Sequence, residues 1–197
     1  MTNIVKSLNL KDGNVLEIYH DEDVSNPRPD DEGRVGFLAA FHSRYDLKDP
    51  DIPFQTADFN SFDEMKQHIM KSLRATVCLP LFLYDHSGIT ISTTPFQCAW
   101  DSGQIGFIYT TSERLNNVGI KIKDGESWED YSSRLKEMLV NEVAEFDQYI
   151  TGDVYRFEVK DDEGNHVDSC SGFYGTDFKN NGLMDYVDSE PINLDDL

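Results

Sequence analysis

Apolar and polar positions alternate over 14–20, "NVLEIYH", with the two-residue period of a strand. The following "DEDVSNPRPDDEG" carries six acids, two prolines and one arginine and reads as an exposed loop. "RVGFLAAFHSRY" (34–45) is an apolar strand, and the proline-bearing "DLKDPDIPFQTADFN" a long connection. Over 61–73 the period changes. Phe62, Met65, Ile69 and Leu73 fall on one helical face, with Ser61 as N-cap and Glu64 closing a capping box. "ATVCLPLFLYD" (75–85) is a buried central strand in which Pro80 must sit at a bulge or an unpaired position. A turn at "HSG" leads into a paired strand, "ITISTT" (89–94), and "GQIGFIYTT" (103–111) is another. "SERLNNVG" reads as a short helix that Gly119 ends.

The longest pattern is helical, 124–153, with Ser127 and Asp130 at its start and Gly152 as its stop. Its apolar stripe is Trp128, Tyr131, Leu135, Met138, Leu139, Val143, Phe146 and Ile150, with Glu142 and Glu145 close beside it. "VYRFEVKDDEGNHVDSCSGFYG" (154–175) reads as a hairpin turning at "DDEGN", and "TDFKNNGLMDYV" as a short helix. No repeat, low-complexity tract or inter-domain linker interrupts the chain. The order predicts a single α+β domain over 1–187, built on a mainly antiparallel sheet with two main helices packed on one face. A flexible acidic tail follows at 188–197.

Composition adds three constraints. In 197 residues, 39% are apolar and 12% aromatic, enough for a sizeable core. No apolar run approaches the ~18–20 residues of a bilayer span, and "MTNIVKSLNLKDG" lacks the apolar stretch of a signal peptide. Three cysteines (Cys78, Cys98, Cys170) without a CxxC pair fit a reducing compartment. The expected location is a cytoplasm. Charge changes the picture most: 37 Asp and Glu against 17 Lys and Arg leave a formal net charge of −20. That field repels nucleic acid and anionic membrane, so neither is an expected partner. Solubility is one explanation. Adaptation to high salt is a second, which the excess of lysine over arginine opposes. Imitation of a phosphate backbone, to bind a protein that normally holds DNA, is the third.

Candidate chemistry concentrates between Phe82 and Tyr109. In "DHSG", Asp85 and His86 end a buried strand, a favourable place for acid–base work and equally for a hairpin turn. In "CAWDSGQ", Cys98 as nucleophile, His86 as base and Asp101 as its orienter would form a catalytic set. Gln104 or backbone N–H groups would then stabilise an oxyanion. The structural alternative makes Trp100 a loop anchor, Asp101 and Ser102 its turn, and Cys98 a small apolar residue. "DSCSGFYG" brings Asp168, Cys170 and Tyr174 to a strand end. With His86 and Cys98, Asp168 and Cys170 would make a zinc set, but no pair has the tight spacing of a structural zinc site. Asp147, Gln148, Tyr149 and Asp153 cluster at a helix end, either as a wired helix stop or facing Asp85 and Asp101 as a hard-cation site. No P-loop, GxGxxG, HExxH, GxSxG or EF-hand loop is present. No metal and no cofactor is expected. His20, His42, His68 and His166 are scattered and read as surface or structural.

The segments "LPLFLYDHSGITISTTPF", "WDSGQIGFIY", "EVAEFDQYITGDVYRF" and "DSCSGFYG" together resemble a family of small acidic proteins encoded by bacteriophages and other mobile elements. The resemblance covers roughly residues 75–175 and is looser over the N-terminal part. It implies a phage or mobile-element setting and, with it, the cytoplasm of an infected or element-carrying bacterium; it implies no activity. Position 98 is not always cysteine in that family, which shifts weight from a Cys98 nucleophile to "YDHSG" and "WDSGQ" as a shared structural or binding loop. Ser171 stands where the family pattern has tryptophan.

These readings place a non-enzymatic inhibitor of a host defence or nucleic-acid-handling protein first, working by acidic mimicry on a partner with a basic surface. Its acids would be Asp21, Glu22, Asp23, Asp30, Asp31 and Glu32 in the first loop and Asp161, Asp162 and Glu163 in the hairpin turn. Asp188, Glu190, Asp195 and Asp196 would add the tail. Second is an enzyme or small-ligand site built from the 85–104 and 168–175 loops around His86, Asp101 and Asp168. Third is a structural protein of a virion or replication complex.

Overall fold

A computed structural model describes residues 3–28, 33–193 and 195. Its architecture is α+β, and every strand pairing is antiparallel, in two four-stranded sheets. The chain divides into two compact units: residues 26–147, and residues 1–25 together with 148–197.

The smaller unit contains the sheet β1 (Ile4–Asn9), β2 (Val15–His20), β7 (Val154–Lys160), β8 (His166–Tyr174), in that order. Strand β1 had no clear sequence signal. The inward residues of these strands, Leu8, Leu16, Ile18, Tyr155, Phe157, Val159 and Phe173, close on Phe178 and Leu183. The stretch expected as a helix over 176–187 is helical only as a 3₁₀ turn, Leu183–Tyr186, because Gly182 enters it with φ +87° and one turn suffices to seat Leu183 in the core. The tail expected to be flexible is bonded to β1 as far as Ile192. Lys11 N–H donates to Glu190 O, Ile192 N–H to Asn9 O, and Leu10 bridges Pro191. Strand β1 is an edge, and its last residue, Asn9, with the two residues that follow it provides those partners.

In the larger unit the sheet order is β3 (Phe37–Ala40), β6 (Ser102–Thr111), β4 (Ala75–Asp85), β5 (Ile89–Ser92). Gly106 of β6 has φ +153°, and a Cβ there would lie 1.8 Å from Ala39 O, so the β3–β6 approach requires glycine. Pro80 lies outside the β4 stretch paired with β5, Phe82–Asp85, so one side of its backbone is open.

Helix α1 (Phe62–Lys71) starts at Ser61, whose hydroxyl accepts Glu64 N–H at 3.2 Å; the Glu64 carboxylate reaches Asn60 N–H rather than Ser61. Its Met65 and Ile69 pack with Ala39, Phe107 and Tyr109. Helix α2 (Ser112–Asn117) is short. Helix α3 (Trp128–Thr151) buries Tyr131, Leu135, Leu139, Val143 and Phe146, while Trp128 is exposed. Leu139 meets Ile108 beside Gly36. Residues 107 and 108 point to opposite sides of β6, so α1 and α3 cover opposite faces of the sheet, where one shared face was expected. An apolar stripe says which side of a helix is buried, not which sheet face receives it. No helix among the described residues is long and apolar enough to cross a membrane.

Candidate functional site

Antiparallel pairing puts the C-terminal ends of β3 and β4 beside the N-terminal end of β6. The segments that leave those ends, 41–46, 86–88 and 93–101, therefore share one end of the larger unit's sheet. Asp85 N–H donates to Asp101 O (2.8 Å), and His86 N–H to Gly88 O across a turn in which Ser87 takes φ +61°. The Asp85 carboxylate accepts from the Arg44 guanidinium and from Tyr45 Oη–H (3.1 Å). Desolvation, and then the Asp85 carboxylate, push the Tyr45 phenol above its ordinary range. His42 stacks on Tyr45 with ring centres 4.9 Å apart, and its Nδ1 accepts from Arg44 N–H. Tyr84 stacks on His86 and meets Phe96. At the tip, Trp100 is 97% exposed.

Three of the proposed catalytic residues do converge. Asp101 Oδ2 lies 3.4 Å from His86 Nδ1 and accepts from Cys98 Sγ at 3.6 Å. The order is imidazole–carboxylate–thiol. A nucleophilic cysteine needs the imidazole in the middle, to take the thiol proton while the carboxylate orients the ring. Here no hydrogen bond joins His86 to Cys98, and a thiolate would face the Asp101 carboxylate. Ser102 Oγ–H donates to Cys98 O, and Gln104 Nε2–H to Gly106 O (3.2 Å), so both side chains brace the backbone of this loop and strand. Asp168 and Cys170 belong to the smaller unit. Asp168 Oδ1 accepts from Ser169 N–H within β8, and Cys170 packs against that unit's core. Among the described residues no group of three or more His, Cys, Asp or Glu is placed to hold a metal ion.

The residues around the end of α3 work as a helix stop. Asp153 N–H donates to Gln148 O, Gly175 N–H to Asp153 O, and Gly152 N–H to Tyr149 O. Tyr155 Oη–H donates to Asp153 Oδ1 (3.3 Å), and Tyr174 pairs with Val154 in the sheet. Among the described residues, Asp147 is placed in no group of three or more metal-ligating side chains with Asp85 and Asp101. It accepts from Ile91 N–H (2.7 Å) and from Thr90 Oγ1–H, on the edge strand β5.

Of the acids assigned to a mimic surface, Asp30, Asp31, Glu32 and Asp196 lie outside the described residues. Several of the others serve the fold. Asp21 accepts from Asp23 N–H and Gly172 N–H, Asp161 from the N–H groups of Glu163 and Asn165, and Glu190 pairs with Lys11. Asp195 reaches Lys179 at 4.0 Å. Glu22, Asp23, Asp162, Glu163 and Asp188 are exposed. The β1–β2 and β7–β8 turns lie at the same end of the smaller unit's sheet, and the tail joins them, since Ser189 Oγ accepts from Asp12 N–H. Asp12, Asp161, Asp162, Glu163, Asp188 and Glu190 therefore share that end.

Sequence reading missed one buried constellation. Arg28 and Asp49 are only 4% and 2% exposed. Arg28 donates from Nε and Nη2 to the two Asp49 oxygens, each at 2.7 Å, and from Nη2 to Gly36 O. Arg34 adds a contact to Asp49 at 3.0 Å. Glu142 of α3 accepts from the N–H groups of Val35 and Gly36 and lies 3.8 Å from Arg28. Burial pushes its pKa upward against those donors. Both loops carry the prolines and acids of solvent-exposed segments, so nothing in their composition signals burial.

Comparison with protein-family models, with curated proteins and with solved structures returned no match.

Proposed function

We propose that this is an acidic binding protein that inhibits a host defence or nucleic-acid-handling protein by presenting carboxylates where that partner expects phosphates. The supporting observation is the acidic end of the smaller unit. Three connecting segments bring six acids to one end of a sheet whose strands lie about 4.8 Å apart. Lys11, the cation of the first turn, is already paired with Glu190. A like-charged rim on a chain of net charge −20 speeds encounter with a basic surface and rejects acidic ones. The mobile-element setting implied by the sequence resemblance would make that partner a protein of the bacterial host.

The test uses host proteins retained on immobilised DNA. At low salt the protein is expected to release a specific DNA-binding protein, while an equal charge of polyglutamate does not. Release is expected to fall steeply between about 50 and 200 mM salt. The triple variant Asp162→Asn, Glu163→Gln, Asp188→Asn, chosen to spare the acids that bond most within the fold, is expected to be about tenfold weaker at low salt. Release that matches polyglutamate, or that the triple variant leaves unchanged, would overturn the proposal.

A second reading, a small-ligand site, draws support from the loop end where His42, Arg44, Tyr45, Asp85, His86 and Asp101 meet. It is a binding reading, because the thiol–imidazole contact that a cysteine enzyme needs is missing.

A further inference from the structure

The larger unit has a cavity of about 550 Å³, a volume that suits a small organic ligand. It opens between the end of β6, the α1–β4 connection and the segment around Asp51. Its floor is aromatic. Tyr109, 3% exposed, stacks on Phe37 with ring centres 5.4 Å apart, and Leu73 adds apolar wall. The Tyr109 hydroxyl makes no hydrogen bond to any described residue, and it is not among the described side-chain polar atoms sealed from solvent without a partner, so it is open to a ligand or water. Burial, followed by the charges of Asp49, Cys78 and Asp51, pushes its pKa upward, so it remains a donor at any physiological pH.

The rim is charged and unpaired. Of the seven arginines in the chain, Arg74 alone has no ion pair, hydrogen bond or ring contact among the described residues, and it lines this cavity. It is held at φ +54°, a conformation unusual for a side-chain-bearing residue. Asp51 and Glu113 line the same cavity and make no side-chain hydrogen bond or ion pair among the described residues. The site thus offers one free cation, two free anions, a free phenol and an aromatic surface.

The ligand must also enter the field of a chain of net charge −20, which disfavours a bare anion such as a nucleotide and leaves a net-neutral molecule unopposed. We propose that this cavity binds a small zwitterion with an apolar body, an amino acid with an aromatic or branched side chain. Its carboxylate would meet Arg74 and Tyr109, its ammonium Asp51 and Glu113, and its side chain Phe37 and Leu73. This site is separate from the acidic rim above and does not depend on it.

The probes are L-phenylalanine, L-leucine, glycine, N-acetylphenylalanine and phenylalaninamide, titrated into the full chain while amide NMR shifts are followed. Phenylalanine or leucine is expected to saturate below about 10 mM, with shifts centred on Leu73, Arg74 and Tyr109. Glycine lacks the body, the N-acetyl form the cation and the amide the anion; each is expected to bind about tenfold or more weaker. Arg74→Gly removes the guanidinium and tolerates the backbone angle. It is expected to weaken phenylalanine at least tenfold without lowering the thermal midpoint. Tyr109→Phe, which changes only the hydroxyl, is expected to weaken it about fivefold and decides the matter should Arg74→Gly disturb the fold. The proposal is overturned if no probe saturates, if shifts centre elsewhere, if the blocked forms bind as well as the zwitterion, or if the variants bind as the parent does.

Discussion

Asp49→Ala is expected to be among the most damaging single substitutions in the larger unit, and its cost follows from the contacts it removes. The carboxylate accepts from Arg28 Nε and Nη2 at 2.7 Å each, Arg34 Nη1 at 3.0 Å and Leu38 N–H at 2.7 Å. After truncation Arg28 keeps Gly36 O at 3.1 Å and a distant Glu142 at 3.8 Å. Stranding a buried cation costs about 3–5 kcal/mol, and the orphaned Leu38 N–H about 1 kcal/mol more. Against a total stability of about 5–15 kcal/mol, this is a large fraction. With a urea slope of about 2 kcal/mol/M, the midpoint should fall by about 2–3 M. The assay is a urea titration followed by amide NMR peaks from residues 33–147, so that the reading belongs to this unit alone. A double variant, Arg28→Met with Asp49→Leu, removes both charges and is expected to recover more than half of the loss. A cost of Asp49→Ala below about 1 kcal/mol, with Leu38 N–H still protected from exchange, would refute the reasoning.

Gly106→Ala would drive a Cβ to 1.8 Å from Ala39 O and is expected to cost about 3 kcal/mol or more, whereas Gly103→Ala, with open space around it, should change stability by about 0.5 kcal/mol at most; thermal unfolding compares them. Glu142 has its pKa raised in the folded state, so the folded protein holds that proton more tightly than the unfolded chain. Its contribution to stability is full below its ordinary 4.5 and lost as pH rises through the raised value, and Glu142→Gln should remove that slope from urea midpoints measured between pH 4.5 and 7. Burial pushes the Cys78 thiol up to about 12, so peptide mass spectrometry of alkylation at pH 8 should find Cys78 slower than Cys98 and Cys170 by about tenfold or more.

Periodicity made most of the fold legible, since a strand or helix with one buried face writes that face into the sequence. Strand β1 escaped because its outer half, Ile4–Lys6, is not buried and alternates weakly. The loop end was half legible. "YDHSG" and "CAWDSGQ" announced a shared turn region, and the structure does bring His86, Cys98 and Asp101 together. What spacing cannot carry is order, and here the carboxylate rather than the imidazole took the central place. Arg28 and Asp49 were illegible for another reason: charged residues in proline-rich loops read as solvent-facing, and only their mutual pairing across 21 residues makes burial tolerable. Arg74 left no trace, because a positive φ at a non-glycine residue is imposed by its surroundings.

The acid excess also has a structural use that bears on the functional reading. In the larger unit the sheet edges are β3 and β5, and each is covered by a carboxylate from outside the sheet. Asp49 N–H donates to Leu38 O while its side chain accepts Leu38 N–H, so one residue occupies both outward backbone groups of Leu38 in β3. Asp147 takes Ile91 N–H on β5. An edge blocked at its middle in this way is a poorer template for another chain, and the blocking group carries a charge that disfavours further strands. Asp21 and Asp161 do comparable work in the smaller unit's turns. Neutralising acids wholesale would therefore confuse two effects, unfolding and loss of a partner. A partner-binding role can be assigned only to acids with little or no internal duty, such as Glu22, Asp162 and Asp188, and a loss of binding from that set with the fold intact separates mimicry from mere structural need.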